Sequence, residues 1–416
     1  MGKKLQPKLR FRGFTDAWEQ RRFVECFDFL KTNTFPRDYL QLSGNGTVDI
    51  HYGDILINYN SCLSIANNAL PCIKREDYLD CHNYSLLKDG DVVFADTAED
   101  RTVGKCVELL KVGERRALAG LHTIAVRNRI ECAVGYLGFY FNSPFYRKQL
   151  LPKMQGSKVV AISKDVLKQS FISVPSTKEQ LLISKLLNKI DSLVDAEKRK
   201  LLLLEQKREA YSQKVFSYGS HHGEDAKHWK MMRLSDIATR ITRRNKGRSN
   251  LPLTISARDG LIDQRHFFSK QVASKNLDNY ILLQRGEFAY NKSTSSDSPW
   301  GTIKRLDRYD QGCVSTLYIC FSTHSVDSQF ITTLFNSPIW HREIQAIATE
   351  GARNHGLLNI SPKDFFDIQL QIPDSLSEQK HIGRFFAAYE QLIRQTAKRI
   401  GLLEKKKKAL LQTMFI

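Results

Sequence analysis

The sequence lacks a long hydrophobic run. Its longest unbroken leucine run covers only residues 201–204, whereas a helix needs about 20 apolar residues to span a bilayer. The basic start, MGKKLQPKLRF, has no apolar stretch behind it, and Gln6 does not fit a myristoylation motif. We therefore expect a soluble protein that is neither exported nor bound to a membrane.

Paired cysteines are also lacking. Six of the eight cysteines precede residue 133, and the sequence has no C-x-x-C pair and no histidines at zinc-finger spacing. This pattern indicates reduced, mostly buried thiols and favours a cytoplasmic location. A metal cluster is an alternative, although gaps of nine and eight residues are not recurring ligand spacings. It would use Cys62, Cys72, Cys81 and His82.

Acidic residues are few relative to basic ones. The 416 residues include 63 Lys and Arg but only 44 Asp and Glu, which gives a net charge of +19. Such an excess indicates a phosphate backbone as the partner, because each phosphate that is neutralised releases counterions. An anionic membrane is less favoured, because no basic amphipathic segment stands apart as a surface anchor.

What the sequence does contain is an internal repeat. Residues 179–216 and 378–415 align at a constant shift of 199 with 11 identities in 38 positions, whereas unrelated helices of this composition share roughly two or three. Weaker matches follow upstream in the same order. They pair ISKDVLKQSFISVP at 162–175 with ISPKDFFDIQLQIP at 360–373, FNSP at 141–144 with FNSP at 335–338, DGDVVFADT at 89–97 with RGEFAYNKS at 285–293, and Trp18 and Phe23 with Trp229 and Leu234.

Each copy is interpreted as a variable globular block followed by a more uniform helix. Short β-rich runs lie between Gly, Asn and Asp clusters, which predicts a mixed α+β domain with an irregular sheet. The runs include GDILINY, GDVVFAD, HTIAV, GEFAYN and TLYICF. Pro175 and Pro373, each followed by Ser, Thr or Asp and then Glu-Gln, mark where the helices start.

Apolar residues recur along both helices at spacings of three and four. The two stripes are Ile183, Leu186, Leu187, Ile190, Leu193, Val194, Leu201 and Leu204, and Ile382, Phe385, Phe386, Tyr389, Leu392, Ile393, Ile400 and Leu403. A 38-residue helix extends about 57 Å at 1.5 Å per residue, too long to pack only on its own small domain. We therefore predict an antiparallel, coiled-coil-like pair. The alternative is that each helix only caps its own domain.

The predicted fold class is therefore α+β, with two similar domains joined by two long antiparallel helices and related by an internal pseudo-twofold. The boundaries are residues 1–175 for the first domain, 176–217 for the first helical region, 218–373 for the linker and second domain, and 374–416 for the second helical region. A rod of fixed length would hold the two domains a fixed distance apart on double-stranded DNA. Two short sequences around an unread spacer would then be recognised.

Several landmarks together carry a family resemblance. They are the opening PKLRFRGFTDAWEQRRF, the repeated FNSP, the two I-S-x-x-x-[LF] patches that lead to Val-Pro or Ile-Pro, and the doubled Glu-Gln helix start. With these landmarks the chain resembles the specificity (S) subunits of type I restriction-modification enzymes. The resemblance covers essentially the whole sequence and is fairly specific as a set, although no single landmark would suffice.

The resemblance implies a non-catalytic DNA-recognition subunit. In that family each of two target recognition domains reads one half of a bipartite DNA site, and the helical regions set the spacer. The helical regions also dock two modification (methyltransferase) subunits and restriction (translocase and nuclease) subunits. Catalysis then belongs to the partners, so the resemblance implies no cofactor in this chain and assigns S-adenosylmethionine, ATP and magnesium to the partner subunits.

An adenine methyltransferase is one alternative, because such enzymes use an N-P-P-[FYW] loop. In FNSPF and FNSPIW, however, Ser143 and Ser337 replace the first proline, and no glycine-rich cofactor strand precedes either copy. We therefore favour two helix starts, with serine as the cap and Pro144 or Pro338 in the first turn.

A nuclease is a second alternative, because Asp374, Glu378 and Lys380 imitate a P-D…E-x-K metal site. The first copy has Ser176 and Leu181 at the aspartate and lysine positions, and capping explains a carboxylate at a helix start. A G-x-x-x-x-G-K-[ST] nucleotide loop is absent from the sequence. A coiled-coil scaffold that binds only proteins is a third alternative.

Candidate DNA contacts are polar and basic residues in segments with little apolar content. Arginine can bond to both acceptors of guanine and asparagine to the edge of adenine, whereas lysine mostly binds phosphate. A solvated turn is the alternative for each loop, and the lysine runs at 198–200 and 405–408 fit a solvated face or a partner contact better. The candidates are Lys31, Asn33, Arg37, Tyr59, Asn60, Arg101, Lys153, Gln155 and Lys158 in the first half, and Arg240, Arg243, Arg244, Lys246, Lys292, Ser293, Thr294, Arg353, Asn354 and His355 in the second.

Overall fold

The computed structural model divides the chain into two compact units. The first unit comprises residues 1–199 with 397–416, and the second comprises 200–396. The structure describes residues 6–416 except 43, 45, 67–68, 80–83, 157, 219–227, 257–258, 268–275, 297 and 349–355. Within these described residues, no helix has both the length and the apolar character that crossing a membrane requires.

The first unit contains a five-stranded sheet in the order β2-β11-β7-β9-β5, a four-stranded sheet in the order β10-β4-β6-β3, and the pairs β1-β13 and β12-β8. Its strands are β1 (Glu19–Arg22), β2 (Phe27–Phe29), β3 (Leu40–Leu42), β4 (Val48–Ile50), β5 (Cys62–Ser64), β6 (Pro71–Ile73), β7 (Val92–Ala95), β8 (Thr97–Ala98), β9 (Cys106–Leu110), β10 (Ala117–Ala119), β11 (Thr123–Asn128), β12 (Val160–Ala161) and β13 (Phe171–Val174). Pairing is antiparallel except between β5 and β9 and between β4 and β10.

Five short helices and the start of the long helix α6 belong to the described part of the first unit, which has an aromatic core. The Phe23 ring lies 4.5 Å from that of Phe27 and 5.8 Å from that of Phe141. The helices are α1 (Phe23–Cys26), α2 (Tyr52–Ile57), α3 (Leu137–Asn142), α4 (Pro144–Leu150), α5 (Lys164–Lys168) and α6 (Thr177–Tyr218), and single 3₁₀ turns lie at Arg37–Tyr39, Glu76–Leu79 and Leu151–Lys153.

The second unit contains a four-stranded sheet in the order β15-β22-β19-β20 and the pairs β14-β23, β16-β17 and β18-β21, all antiparallel. Its strands are β14 (Trp229–Arg233), β15 (Ala238–Ile241), β16 (Leu253–Ser256), β17 (Gly260–Asp263), β18 (Ile281–Gln284), β19 (Phe288–Asn291), β20 (Thr302–Arg305), β21 (Gln311–Val314), β22 (Ile319–Thr323) and β23 (Gln369–Pro373). Its helices are α7 (Leu234–Ile237), α8 (Gln264–Phe267), α9 (Ser328–Asn336), α10 (His341–Ile347), α11 (Pro362–Phe366) and the start of α12 (Leu376–Thr413).

Four of the five predicted β-rich runs contain strands, but the prediction of a strand in GDILINY was wrong. Its residues form helix α2, not a strand. The reason is local capping: the His51 ring accepts the backbone N–H of Gly53, and the Asp54 carboxylate accepts the side-chain amide of Asn58 four residues on. These polar contacts favour a helical turn over an extended conformation, while Ile55 is still buried.

The two copies of FNSP differ in structure. Ser143 caps α4 by accepting the backbone N–H of Tyr146, with Pro144 in the first turn, as predicted. The prediction is wrong for the second copy, because α10 begins only at His341. The Ser337 hydroxyl donates to the carbonyl of Leu334 instead of capping a helix.

The repeat is visible in the way that each unit begins. Strand β1 pairs with β13, and β14 pairs with β23, in both cases antiparallel. Directly after these strands Phe23 and Leu234 are fully buried, and their backbone N–H groups donate to the carbonyls of Ser170 and Ile368. The predicted correspondence of Trp18 and Phe23 with Trp229 and Leu234 thus has a structural basis.

The Glu-Gln start of each long helix anchors it to a globular block. In the first unit Gln180 accepts the backbone N–H of Ala133 and donates to the carbonyl of Pro175. In the second unit Gln379 accepts the backbone N–H of Asp327 and donates to the carbonyl of Pro373. Ser176 and Ser375 accept the backbone N–H groups of Glu179 and Glu378, as expected of N-caps.

Helices α6 and α12 pack antiparallel in each unit. In the first unit Asp191 pairs with Lys407 at 2.5 Å, and Glu197 pairs with Arg399 at 3.0 Å. In the second unit Arg208 pairs with Glu390 at 2.8 Å, and the ring of Tyr211 lies 5.4 Å from that of Phe385. Residue numbers fall along one helix as they rise along the other. The predicted fold class, α+β with two long antiparallel helices, is therefore confirmed.

The C-terminal end of each long helix packs into the hydrophobic core from which the other long helix starts. Phe415 is 3% exposed and packs against Trp18, Tyr136 and Tyr140 in the first unit. Phe216 is 4% exposed and packs in the second unit, where the ring centroids of Trp229 and Phe330 lie 6.3 and 6.2 Å away. Packing of this kind excludes the alternative in which each helix only caps its own domain.

Candidate nucleic-acid interface

A loop that follows a central strand occupies the same place in both units. In the first unit, residues 97–98 after β7 pair with β12, which precedes α5. In the second unit, Ser293 after β19 forms a bridge with Leu357, and Leu358 donates to the carbonyl of Lys292. Each unit therefore joins two polar loops that lie far apart in the sequence. Paired loops on a sheet are a common framework for ligand-binding residues.

Three second-unit candidates lie in this loop pair. Lys292 donates to the carbonyl of Ile360, and partial burial lowers its pKa. Ser293 is exposed, and the hydroxyl of Thr294 donates to the carbonyl of Gly356 at 3.1 Å. Candidates Arg353, Asn354 and His355 lie outside the described residues.

Of the four candidates at 240–246, two have partners for their side chains and two are exposed without a side-chain hydrogen bond or ion pair to any residue that the structure describes. Arg243 forms an ion pair with Glu287 at 2.8 Å, and Arg244 donates to the carbonyl of Asn279 at 2.5 Å. Arg240 lies exposed on β15, and Lys246 lies exposed in a turn, where its φ of 46° is left-handed. Arg240 and Lys246 are thus the better placed of the four to bind a phosphate.

Four first-unit candidates lie on the surface. Lys31 is exposed on the segment after β2. Lys153 donates to the side-chain carbonyl of Gln169 at 3.3 Å. Gln155 is exposed, and its backbone pairs with Ala161, whereas Lys158 is exposed between them. The last three residues flank β12 and so lie beside the first unit's paired loops.

Asn33 and Arg37 belong to a polar network that is partly buried. Asn33 is 1% exposed; its amide donates to Asp49 at 2.7 Å and its carbonyl oxygen accepts the backbone N–H of Phe35. The Asn33 side chain is therefore committed inside the protein rather than presented to a duplex. Arg37 forms an ion pair with the buried Asp54, and this contact raises the pKa of the guanidinium.

The remaining first-unit candidates, Tyr59, Asn60 and Arg101, line one cavity of about 420 Å³. The side-chain amide of Asn60 donates to Asp195 at 3.1 Å, and Arg101 is exposed at the rim. Burial raises the pKa of the Tyr59 phenol, which therefore stays protonated. The same cavity contains cations that sequence reasoning missed, and they are Lys105, Arg147 and Lys407.

The residues of the methyltransferase alternative have structural contacts. The Asn142 amide group donates to the carbonyls of Cys106 and Gly138, and its oxygen accepts the backbone N–H of Cys106. Asn142 therefore holds α3 against β9. In the second unit Asn336 accepts a hydrogen bond from Lys304 at 2.6 Å.

The residues of the nuclease alternative are engaged as well. Asp374 forms an ion pair with Lys230 at 3.0 Å, and Glu378 accepts the indole N–H of Trp229 at 3.1 Å. These contacts fasten the start of α12 to β14. In the part of the chain that the structure describes, no three His, Cys, Asp or Glu side chains are grouped to hold a metal ion.

The described cysteines are free thiols. They are Cys26, Cys62, Cys72, Cys106, Cys132, Cys313 and Cys320. Burial raises their pKa at several positions, to about 12 for Cys132 and Cys320, which keeps these thiols protonated and unreactive. Of the alternative metal cluster, Cys81 and His82 lie outside the described residues.

Comparison with known proteins gives matches among solved structures. No protein-family model and no curated protein matches the sequence. A type I restriction-modification system S subunit from M. genitalium matches with a TM-score of 0.63 and 14% identity, over 99% of each chain. The HsdS subunit from Thermoanaerobacter tengcongensis gives a TM-score of 0.45 and 14% identity, over 96% of this chain and 97% of that one. A chain from a structure on complex assembly and conformational transition of the type I R-M system gives 0.49 and 14%, over 97% and 98%.

The first of these matches extends along both chains almost completely, so it covers both units and both long helices. The resemblance carried by the sequence motifs is thus confirmed as a likeness of fold. This chain has the fold of an S subunit of a type I restriction-modification system.

Proposed function

We propose that this chain is the DNA-recognition subunit of a type I restriction-modification enzyme and has no catalytic site of its own. Each unit would recognise one half of a bipartite target on double-stranded DNA, and the paired helices would set the unread spacer. Modification and restriction subunits would supply catalysis, together with S-adenosylmethionine, ATP and magnesium. The net charge of +19 supports a polyanionic partner.

The antiparallel pairing of α6 and α12 carries this proposal. Ion pairs equivalent in the repeat hold the helices in both units, because Asp191 and Lys407 correspond to Glu390 and Arg208 at the shift of 199. The proposal requires this helix pair, which has side-chain contacts within each unit, to be stiff. A stiff connection is what a recognition protein needs if the separation of two half-sites is to be fixed.

Docking of two modification subunits is supported by apolar residues that the helices leave exposed. Leu193 and Leu392 are identical in the repeat and 38% and 41% exposed, and Leu203 and Leu402 are likewise identical and 50% and 57% exposed. The core does not require leucine at such exposed positions, whereas a protein interface would. Because the positions are equivalent, the chain has two similar docking surfaces.

The docking proposal can be tested with the modification subunit. Replacing Leu203 or Leu402 by aspartate should remove one bound modification subunit, because a charge would enter an apolar interface. Light scattering of the purified complex measures the stoichiometry. Gln206→Ala on α6 and Lys406→Ala on α12, both at exposed positions, are the controls. Unchanged stoichiometry in both leucine variants would reject this docking surface.

DNA recognition can be tested by exchanging residues 1–175 for those of a chain that recognises a different target. We expect the hybrid, with its modification partner, to recognise a site in which only one half has changed. Binding to oligonucleotides that combine the two half-sites, measured at several salt concentrations, checks this outcome. Retention of both original halves would contradict the proposal, and binding without sequence preference would favour the protein scaffold.

A further inference from the structure

The cavity in the first unit is unusual in the charge of its lining. It is lined by Tyr59, Asn60, Ser61, Arg101, Thr102, Lys105, Asn142, Arg147 and Lys407. Four of these residues are cations, and none of the lining residues described is Asp or Glu. Its volume of about 420 Å³ lies at the small end of the range for ligand sites, roughly 300–1,000 Å³.

Nearby carboxylates reduce this positive charge only in part. Asp191 forms an ion pair with Lys407, and Asp195 accepts a hydrogen bond from Asn60. Asp100 interacts electrostatically with Arg147. Lys105 donates to the carbonyl of Leu56 at 3.0 Å, a neutral partner that leaves its charge uncompensated. The lining as a whole therefore attracts an anion.

Two donors near the wall of the cavity have no hydrogen-bond partner among the residues that the structure describes. The hydroxyl of Tyr59, a residue only 9% exposed, makes no hydrogen bond. Arg147 donates through Nη2 to the carbonyls of Arg101 and Val103, but its buried Nη1 has no acceptor. Buried donors are normally satisfied. Both atoms have almost no accessible surface, so they leave an excess of hydrogen-bond donors behind the cavity wall and are not direct contacts for a ligand.

Burial makes the cations more receptive to an anion. It lowers the pKa of both Lys105 and Arg147, which shows that their charges are poorly solvated where they lie. A bound oxyanion would replace the lost water and oppose this shift. The neutral donors Ser61 and Thr102 add hydroxyl groups to the lining, and hydroxyls commonly bind phosphate oxygens.

An equivalent cavity in the second unit lacks this charge. It is lined by Glu209, Ser298, Gly301, Thr302, Ile303, Lys304, Phe335, Asn336, Ser337, Pro338, Trp340 and His341. His341 follows Asn336 by the same five positions that separate Arg147 from Asn142. Burial lowers the pKa of His341, so a neutral imidazole stands where the first unit has a guanidinium. Glu209 and Lys304 bring one negative and one positive charge.

We infer that the first-unit cavity binds a phosphate group, with Arg101, Lys105, Arg147 and Lys407 as its cationic ligands, and that the second-unit cavity does not. The group can be a phosphodiester of the DNA backbone or a free phosphate, since both present the same tetrahedral oxygens. The inference depends on the linings of the two cavities and not on which DNA sequence the chain recognises. It therefore stands or falls separately from DNA recognition by the chain.

Inorganic phosphate is the first probe. Thermal unfolding of the full chain should show a higher Tm in sodium phosphate than in sodium chloride of the same ionic strength, because phosphate binds the folded state. Arg101→Ala removes an exposed cation from the rim and should lower the affinity for phosphate at least tenfold. Lys148→Ala removes an exposed cation that does not line the cavity and should leave the affinity unchanged.

Two further variants probe the α12 side of the cavity. Because Lys407→Met also removes the ion pair with Asp191, phosphate affinity is compared on folded protein, well below the Tm of each variant. Lys407→Met keeps an apolar stem over the ring of Phe139 and should weaken phosphate binding as Arg101→Ala does. Lys406→Ala, on the exposed side of the same helix, should not. Equal stabilisation by phosphate and chloride, or phosphate affinity unchanged in both Arg101→Ala and Lys407→Met, would overturn the site.

A short DNA duplex distinguishes the two sources of phosphate. If the ligand is a backbone phosphodiester, Arg101→Ala and Lys407→Met should weaken duplex binding, and inorganic phosphate should compete with the duplex in the unmodified chain but less in the variants. If the ligand is free phosphate, the variants should bind the duplex normally and lose only the response to inorganic phosphate. In both cases phosphate binds at this cavity, and the control variants Lys148→Ala and Lys406→Ala must still bind it.

Discussion

The two units hold the long helices by the same contacts but present different surfaces around them. Gln180 and Gln379 make equivalent pairs of hydrogen bonds, and Phe415 and Phe216 enter equivalent aromatic cores. By contrast, the first unit has a five-stranded and a four-stranded sheet, whereas the second has a four-stranded sheet and separate strand pairs.

The charge around the helices differs as well. The cavity beside Asn142 has four cations in its lining, whereas the one beside Asn336 has a glutamate, a lysine and a histidine. What recurs is the set of contacts that position the helices, and what varies is the set of polar groups exposed beside them. This division suits a protein that keeps a constant frame while its two units recognise different ligands.

The largest expected effect concerns the aromatic residue at the end of each helix. Phe216→Ala should destabilise the second unit, and Phe415→Ala the first, each by about 3–5 kcal/mol, because a buried ring leaves a cavity. Denaturant unfolding followed by hydrogen exchange in each unit measures the loss and locates it. Leu203→Ala, at a position 50% exposed, is the control. A decrease in unfolding free energy below about 1 kcal/mol in either unit would contradict the view that Phe216 and Phe415 are equivalent core residues.

A pH-dependent effect should distinguish the first unit. Burial raises the pKa of Asp49 to about 7, although the hydrogen bond from Asn33 opposes the shift. The protonated form is thus favoured in the folded state, so its stabilising effect is complete below about pH 4 and is lost as the pH rises to about 7. Asp49→Asn should remove the contribution of Asp49, which we expect to amount to about 2–4 kcal/mol, and leave that of Glu108, whose pKa burial also raises to about 7.

Thermal unfolding between pH 4 and pH 8 measures this effect in the unmodified chain and in Asp49→Asn. Asp38→Asn, at an exposed position in the same unit, serves as the control. An identical decline in the unmodified chain and the Asp49 variant would show that Asp49 ionises normally in the folded state.

The glutamines at the helix starts should matter equally in both units. Gln180→Ala leaves the N–H of Ala133 and the carbonyl of Pro175 without their partner, and Gln379→Ala does the same to Asp327 and Pro373. We expect a loss of about 1–3 kcal/mol in each case. Unfolding midpoints of the two variants, compared with Gln206→Ala, test this symmetry. A loss in only one unit would mean that the helix starts are not equivalent.

The smallest expected effect is that of the partly exposed ion pair between the helices in the second unit. The side chains of Arg208 and Glu390 are 36% and 28% exposed. Arg208→Gln should therefore cost less than about 1 kcal/mol, because solvent screens such pairs. A double-mutant cycle with Glu390→Gln isolates the coupling between them. A coupling well above 1 kcal/mol would indicate that this contact, rather than apolar packing, holds the helices.

Sequence reasoning could predict the helix pair because its signals are local and doubled. The serine caps, the Glu-Gln starts and the apolar spacing occur twice at one shift. The stripe was less uniform than expected: Ile183 and Leu187 are buried, but Leu193 is 38% exposed. Apolar residues at spacings of three and four show which face of a helix is apolar. They do not show which part of that face is covered by a partner.

The site was harder to predict because it depends on contacts between distant residues. Asn33 was predicted to contact DNA, but its side-chain amide donates to Asp49 inside the protein. Lys105, Arg147 and Lys407 meet at one cavity although they lie just before β9, on α4 and on α12, and no local pattern links them. The predicted DNA contacts remain predictions, as do the domain boundaries and the residues at 353–355.

The most direct measurement is a map of methylated adenines in DNA from cells that carry this chain with its modification and restriction partners. The proposed bipartite recognition predicts methylation at two short sequences separated by a gap of constant length and unconstrained composition. One continuous target, or two sequences at variable separation, would contradict the account.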